Sequence, residues 1–134
     1  MFKKVCIIGC GLIGSSLARA IKENNLAEKV VSSNRSESIN KKVIELKIVD
    51  QSSSDSKKMV KGSDLVIIAT PLSSYEDIIL KIKGSLADGS ILTDVGSVKE
   101  NVINLIEKHT PKNVSWISSH PIAGTEESGP ESGF

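Results

Sequence analysis

The sequence is short of several things at once. Its 134 residues include two cysteines and two histidines, and Lys+Arg 17 against Asp+Glu 16 leaves a net charge of +1. So even a balance gives no electrostatic footing for nucleic acid or an anionic membrane, both of which need clustered basic charge. No apolar run reaches the roughly 18 residues that a membrane span requires. Met1-Phe2-Lys3-Lys4 followed by Val5-Cys6-Ile7-Ile8 is too short for a secretory signal, and Gly9 interrupts it. If Cys6 lies in a strand, it and Cys10 stand roughly 13 Å apart along extended chain. A disulfide tolerates only about 7 Å. Free thiols suit a reducing cytoplasm. Two scattered histidines, with no acidic cluster at ligand spacing, give no metal site.

What is present is an ordinary globular composition, 39% apolar and 25% charged, at the length of one domain over residues 1–134. Short apolar runs alternate with amphipathic ones. Strands are expected at 3–9, 29–33, 64–70, 90–94 and 113–119. A helix over 12–24 carries Leu12, Ile13, Leu17, Ala20 and Ile21 at helical spacing. Another over 36–48 starts at Ser36 as N-cap and carries Ile39, Val43 and Leu46 on one face. Ser73-Ser74-Tyr75-Glu76 fits a capping box for a helix with Ile78, Ile79, Ile82 and Leu86. Ser97-Val98-Lys99-Glu100 fits a second, for a helix to about Lys108. Residues 51–56 (QSSSDS) read as a polar loop, 57–60 as a helical turn and 121–134 as irregular chain. This alternation predicts an α/β fold, a doubly wound parallel sheet covered by helices on both faces.

Gly9-Cys10-Gly11-Leu12-Ile13-Gly14 is a GxGxxG pattern. Three glycines at these offsets arise by chance in about one chain in twenty of this length. Here the pattern follows a strand and opens a helix, as dinucleotide binding requires. Gly9 permits the tight turn, Gly11 lets backbone approach a pyrophosphate, and Gly14 lets the helix pack closely on the strand. The N–H groups of Leu12 and Ile13 at the helix start would face the anion. About 20 residues further on, an acidic residue commonly holds the adenosine ribose. That position is Asn34, followed by Arg35 and Ser36. An Asp there would accept two ribose bonds and repel a 2′-phosphate. Asn34 accepts one and carries no charge, and Arg35 is placed to pair with a 2′-phosphate. Both NAD and NADP therefore stay open.

Ligands of doubly wound sheets bind outside the C-terminal strand ends. Thr70-Pro71, Asp94-Val95-Gly96-Ser97 and Ser118-Ser119-His120-Pro121 all fall at such ends. His120 is the catalytic candidate, since imidazole accepts a hydroxyl proton near neutral pH. Pro121 restricts it to extended geometry. Ser97 suffices as a helix cap, and beside a nicotinamide would serve both roles. His109 falls at a helix C-terminus, where the macrodipole favours a cation, and reads as structural.

The run His120-Pro121-Ile122-Ala123-Gly124-Thr125-Glu126, then Ser128-Gly129-Pro130, resembles a signature of the prephenate/arogenate (cyclohexadienyl) dehydrogenases. Thr93-Asp94-Val95-Gly96-Ser97-Val98-Lys99 resembles their second signature, and the glycine turn, Ala69-Thr70-Pro71 and Ser33-Asn34-Arg35-Ser36 follow in the expected order. The resemblance implies a Rossmann-type domain and NAD(P)-dependent oxidative decarboxylation of prephenate or arogenate. His120 matches the family's catalytic histidine. Ser97 matches a residue near both nicotinamide and substrate hydroxyl. Thr125 and Glu126 match residues lining the substrate entrance.

The resemblance also implies a C-terminal helical domain that forms a homodimer and supplies substrate-binding groups. This sequence stops at Phe134, and is expected to be the cofactor domain of a longer enzyme. A β-hydroxyacid type of dehydrogenase or a non-catalytic dinucleotide-binding module are the alternatives. The first leaves the His120 run unexplained, and the second stays open for a chain without the helical domain.

Overall fold

The computed structural model describes residues 1–95 and 100–118. Among them, six strands form one parallel sheet: β1 (Phe2–Ile8), β2 (Ala27–Ser33), β3 (Gln51–Ser53), β4 (Leu65–Ile68), β5 (Ile91–Asp94) and β6 (Ser115–Ile117). Five helices intervene: α1 (Leu12–Glu23), α2 (Glu37–Glu45), α3 (Ser56–Val60), α4 (Tyr75–Ile82) and α5 (Glu100–His109). The strand order is β3-β2-β1-β4-β5-β6. The chain thus grows outward from β1 in one direction, then crosses over and grows in the other. The doubly wound expectation holds, and β1 and β4 form the switch point where such sheets open a crevice.

Alternation along β1 builds both faces. Cys6 and Ile8 point into a core shared with Met59 and Val60 of α3, Ile79 and Ile82 of α4, and Ile106 of α5. Val5 and Ile7 point the other way, into a core with Ala18 and Ile21 of α1 and Val43 of α2. All four are buried, as the unbroken apolar run Val5–Ile8 requires of a central strand. Each fully buried aliphatic side chain contributes roughly 1.5–3 kcal/mol. Asp64, just before β4, accepts from the backbone N–H groups of Lys3 and Lys4 at 2.9 and 2.8 Å. Burial opposes charge on this carboxyl, but those two donors hold it below the usual carboxylate range.

The structure corrects several local expectations. Residues 51–53 are not loop but the edge strand β3, paired in register Val31↔Gln51, Ser32↔Ser52 and Ser33↔Ser53. A three-residue edge strand needs no apolar face, so its serines hid it. The following helix begins at Ser56, and Asp55 caps it by accepting from the Lys58 N–H. Helix α2 stops at Glu45 because Lys47 turns left-handed (φ +59°), which returns Ile48 and Val49 to the core. On α2 only Val43 of the three expected apolar residues is buried. Ile39 and Leu46 are exposed, and Asn40 takes an inward place. On α1 the inner face is Gly14, Ala18 and Ile21, while Leu12, Ile13 and Ala20 face outward. The capping box at Ser73 does not form. Leu72–Ser74 is a 3₁₀ turn, and Ser74 makes no side-chain cap. Both cysteines are free and buried, and burial pushes the Cys6 thiol up to about 12.

Candidate functional site

The glycine turn joins β1 to α1, and its glycines have different reasons to be there. Gly9 is left-handed (φ +95°), and an added Cβ would lie 2.7 Å from Thr70 Cγ2. Gly14 lies so close under the turn that its Cβ would come within 2.1 Å of the Gly9 carbonyl oxygen. Gly11 has nothing within 4 Å of that position. Two glycines are therefore demanded by the protein's own packing, and the third keeps an open space open. Gly11 is also the N-cap of α1 and offers no side-chain acceptor to the first-turn N–H groups, while that turn carries no acidic residue. Those donors suit an external anion.

Beyond the end of β2, the Asn34 side chain is buried and holds the turn in place. Its Oδ1 accepts from the Cys10 N–H at 2.5 Å, and its Nδ2 donates to Asn40 Oδ1 at 3.0 Å. Asn40 Nδ2 donates back to the Asn34 carbonyl at 3.0 Å. Ser52 Oγ donates to Asn40 Oδ1 at 2.5 Å and lies 2.7 Å from Ser32 Oγ. Burial raises the Cys10 thiol pKa, against hydrogen bonds to Ser32 and Asn34 that lower it.

Between the strand ends lies a cleft of about 390 Å³. Its floor is Ile8 and Gly9–Gly11, one wall is Ser33–Arg35, and the other is Ala69–Pro71 with Asp77, Ile78 and Lys81 of α4. Thr70 Oγ1 is buried and has no hydrogen-bond partner among the described residues. Behind this wall, burial raises the Tyr75 phenol pKa, with the nearby Asp94 charge adding to it, and its hydroxyl donates to the Ile68 carbonyl at 3.4 Å.

The expected residues distribute unevenly. Gly9, Gly11, Asn34, Arg35, Thr70 and Pro71 line the cleft together. Gly14 supports the turn from beneath. The Leu12 and Ile13 side chains are exposed outside the cleft lining. Ser36 caps α2, its Oγ accepting from the Ile39 N–H at 3.3 Å. His109 ends α5. Ser97, His120, Thr125 and Glu126 lie outside the described residues. Sequence reasoning missed Asn40 and Ser52, which only the fold brings to Asn34. It also missed Asp77 and Lys81, whose i, i+4 spacing was the available signal. Among the described residues no group of three His, Cys, Asp or Glu is arranged to hold a metal, and no helix is long and apolar enough to cross a membrane.

An uncapped helix start, a glycine that leaves room and an orphaned hydroxyl on the facing wall fit a dinucleotide. The strand order, glycine turn and switch-point cleft define a nucleotide-binding domain of the Rossmann type. The family model described as prephenate dehydrogenase, nucleotide-binding domain, matches residues 17–134, and the chain belongs to this family. Cyclohexadienyl dehydrogenase of Zymomonas mobilis is 35% identical over 134 residues, 100% of this chain and 45% of the relative. Prephenate dehydrogenase of Lactococcus lactis is 33% identical over 129 residues, 95% of this chain and 36% of the relative. Among solved structures, prephenate dehydrogenase from A. aeolicus in complex with hydroxyphenyl propionate and NAD+ superposes with a TM-score of 0.80 at 27% identity. That match covers 98% of this chain and 46% of that one. The chain spans less than half the length of each of these relatives.

Proposed function

We propose that this chain is the cofactor-binding part of an enzyme that oxidatively decarboxylates prephenate or arogenate. The observation that carries the reading is the switch-point cleft, floored by Gly9–Gly11 and walled by Thr70, whose buried hydroxyl has no partner among the described residues, in a chain of this family. Gly11 and the first turn of α1 would hold the pyrophosphate, Asn34 and Arg35 would bound the adenosine ribose, and Thr70 and Pro71 would face the nicotinamide half. A bound nicotinamide supplies the hydride acceptor. His120 would take the proton of the ring carbinol hydroxyl, Ser97 would serve the nicotinamide and that hydroxyl, and Thr125 and Glu126 would line the approach of substrate. The ring carbinol gives up a hydride and a proton. The new carbonyl draws the electron pair of the breaking carbon–carboxylate bond, CO2 leaves, and the ring becomes aromatic.

The adenosine end favours acceptance of NADP alongside NAD. It carries the Arg35 guanidinium on the wall and a neutral amide where a carboxylate would repel a 2′-phosphate. Dimerisation would rest with chain beyond this domain, and two buried free thiols suit a cytoplasmic setting.

The test is calorimetric titration with NAD and NADP, followed by turnover assays with prephenate and arogenate on the full chain of the enzyme. Both dinucleotides should bind, NADP at least as tightly as NAD. His120→Ala should cost roughly 10²–10⁴ in kcat without changing dinucleotide affinity. Failure of either dinucleotide to bind, or an unchanged kcat, sinks the corresponding assignment.

A further inference from the structure

The side chain at position 34 bridges two partners whose polarity is fixed from outside. On one side stands the Cys10 backbone N–H, which only donates. On the other stands Asn40, whose orientation is set elsewhere. Its Nδ2 donates to the Asn34 carbonyl at 3.0 Å and to Glu37 Oε1 at 3.4 Å, so its Oδ1 must face the Asn34 side chain. Ser52 spends its proton on that same Oδ1. A bridge between a fixed donor and a fixed acceptor needs one acceptor and one donor atom. A carboxamide has both, while an ionised carboxylate has two acceptors.

An Asp at 34 would satisfy Cys10 with one oxygen and set the other against Asn40 Oδ1, about 3.0 Å away on the present geometry. Turning the Ser52 hydroxyl toward the carboxylate relieves the clash only by taking a donor from Asn40 Oδ1. Ser32, 2.7 Å from Ser52 Oγ, has a single proton to share between them. The Ser52 and Ser32 hydroxyls stand 3.3 and 3.4 Å from the Asn34 amide nitrogen, farther than the Asn40 carbonyl at 3.0 Å, so a carboxylate oxygen there meets an acceptor first and draws on hydroxyls already engaged with each other and with Asn40. Asn34 and Asn40 are 7% and 2% exposed, out of reach of bulk water.

We propose that Asn40 is a specificity-determining positioning residue: by presenting its carbonyl rather than its amide nitrogen to position 34, it admits a neutral carboxamide there, excludes a carboxylate, and so keeps the adenosine end of the cleft open to a 2′-phosphate. The inference rests on the dinucleotide reading above. It implies that cofactor preference is written in two positions, one of which touches no cofactor. It also implies that Asn34→Asp alone does not produce a working NAD-selective site.

The test is a double-mutant cycle of Asn34→Asp and Asn40→Thr in the full chain. Threonine has nearly the volume of asparagine, and its hydroxyl can turn to donate or accept. Two quantities are read: the melting temperature without ligand, and the ratio of the Kd values for NAD and NADP. Asn34→Asp alone should lower Tm by about 5 °C or more, and should weaken binding of both dinucleotides. Adding Asn40→Thr should restore most of the Tm and shift the affinity ratio toward NAD by about tenfold or more. A single Asn34→Asp variant that does not fold, rescued by Asn40→Thr, is the same coupling in its strongest form. The proposal is overturned if the two substitutions act additively on Tm, if the double variant folds no better than the single one, or if Asn34→Asp alone shifts the ratio as far as the pair. Wild-type protein that binds neither dinucleotide overturns the dinucleotide reading instead, and the ligand-free Tm cycle still reports whether Asn40 dictates the group at position 34.

Discussion

The two sides of the cleft are finished to different degrees. On the β1–β2–β3 side, the Asn34, Asn40, Ser32 and Ser52 side chains bond to one another and to the Cys10 N–H. On the β4–β5–β6 side lie all three buried side-chain polar atoms that lack a partner among the described residues: Thr70 Oγ1, Ser90 Oγ and Trp116 Nε1. The first side is shaped by its own side chains before any ligand arrives, which lowers the ordering cost of binding. The second keeps at least one buried polar group, Thr70 Oγ1, unspent on a residue that lines the cleft. A buried hydroxyl without a partner is costly unless something supplies one. The difference separates residues that build the site from residues that meet the ligand.

That separation can be broken by experiment, and the glycine turn gives the largest effect. Gly14→Ala drives a Cβ into the Gly9 carbonyl oxygen. It should cost about 3 kcal/mol, the upper end of overpacking, measured by chemical denaturation. Gly11→Ala meets nothing and should cost no more than about 1 kcal/mol, the loss of a better N-cap, while dinucleotide affinity drops. Equal stability losses for the two would erase the distinction between building and meeting.

Next is Thr70→Val. If the hydroxyl is reserved for ligand, folding stability should hold or rise by up to about 1 kcal/mol. Dinucleotide affinity should fall about fivefold, the worth of one hydrogen bond. An unchanged Kd in calorimetry would place the hydroxyl outside the binding interaction.

The smallest effect is at the seam between the halves. Asp64 precedes β4 and clamps the start of β1 through the Lys3 and Lys4 N–H groups. Its folded pKa is depressed, so its stabilisation is present above the unfolded carboxyl's titration and lost as pH falls through the folded value. Asp64→Asn should cost about 1 kcal/mol at neutral pH, and wild type and variant should converge in acid. Thermal melts across that range decide it. A constant gap down to the acid limit would mean that charge contributes nothing at the seam.

The sheet was legible because the central strands must be apolar on both faces, as in Val5–Ile8 and Val66–Ile68. Such runs have no other stable use at this length. Gly9 and Gly14 were legible because a left-handed turn and close approach leave few alternatives to glycine, and Gly11 because it completes their spacing. What escaped were places where polar residues replace apolar ones inside the fold. Gln51–Ser53 looks like loop because nothing in its composition reveals that β2 offers it an edge. Asn40 looks like surface because its partners lie 6 and 12 residues away and are joined only by folding. Asn34 could be read as a ribose contact from its position. Its bond to Cys10, 24 residues earlier, could not.

The Asp64 clamp also has a consequence for how the protein is made. Strand β1 is hydrogen-bonded to β2 on one side and to β4 on the other, and the carboxylate that fastens it lies 60 residues downstream of Lys4. At roughly 5–20 residues per second, a ribosome needs about 3–12 s to deliver it. Through that interval the middle of the future sheet is an open edge of four apolar residues, exposed to any other strand in reach. A strand buried on both sides in the finished domain is thus an open edge in the nascent one.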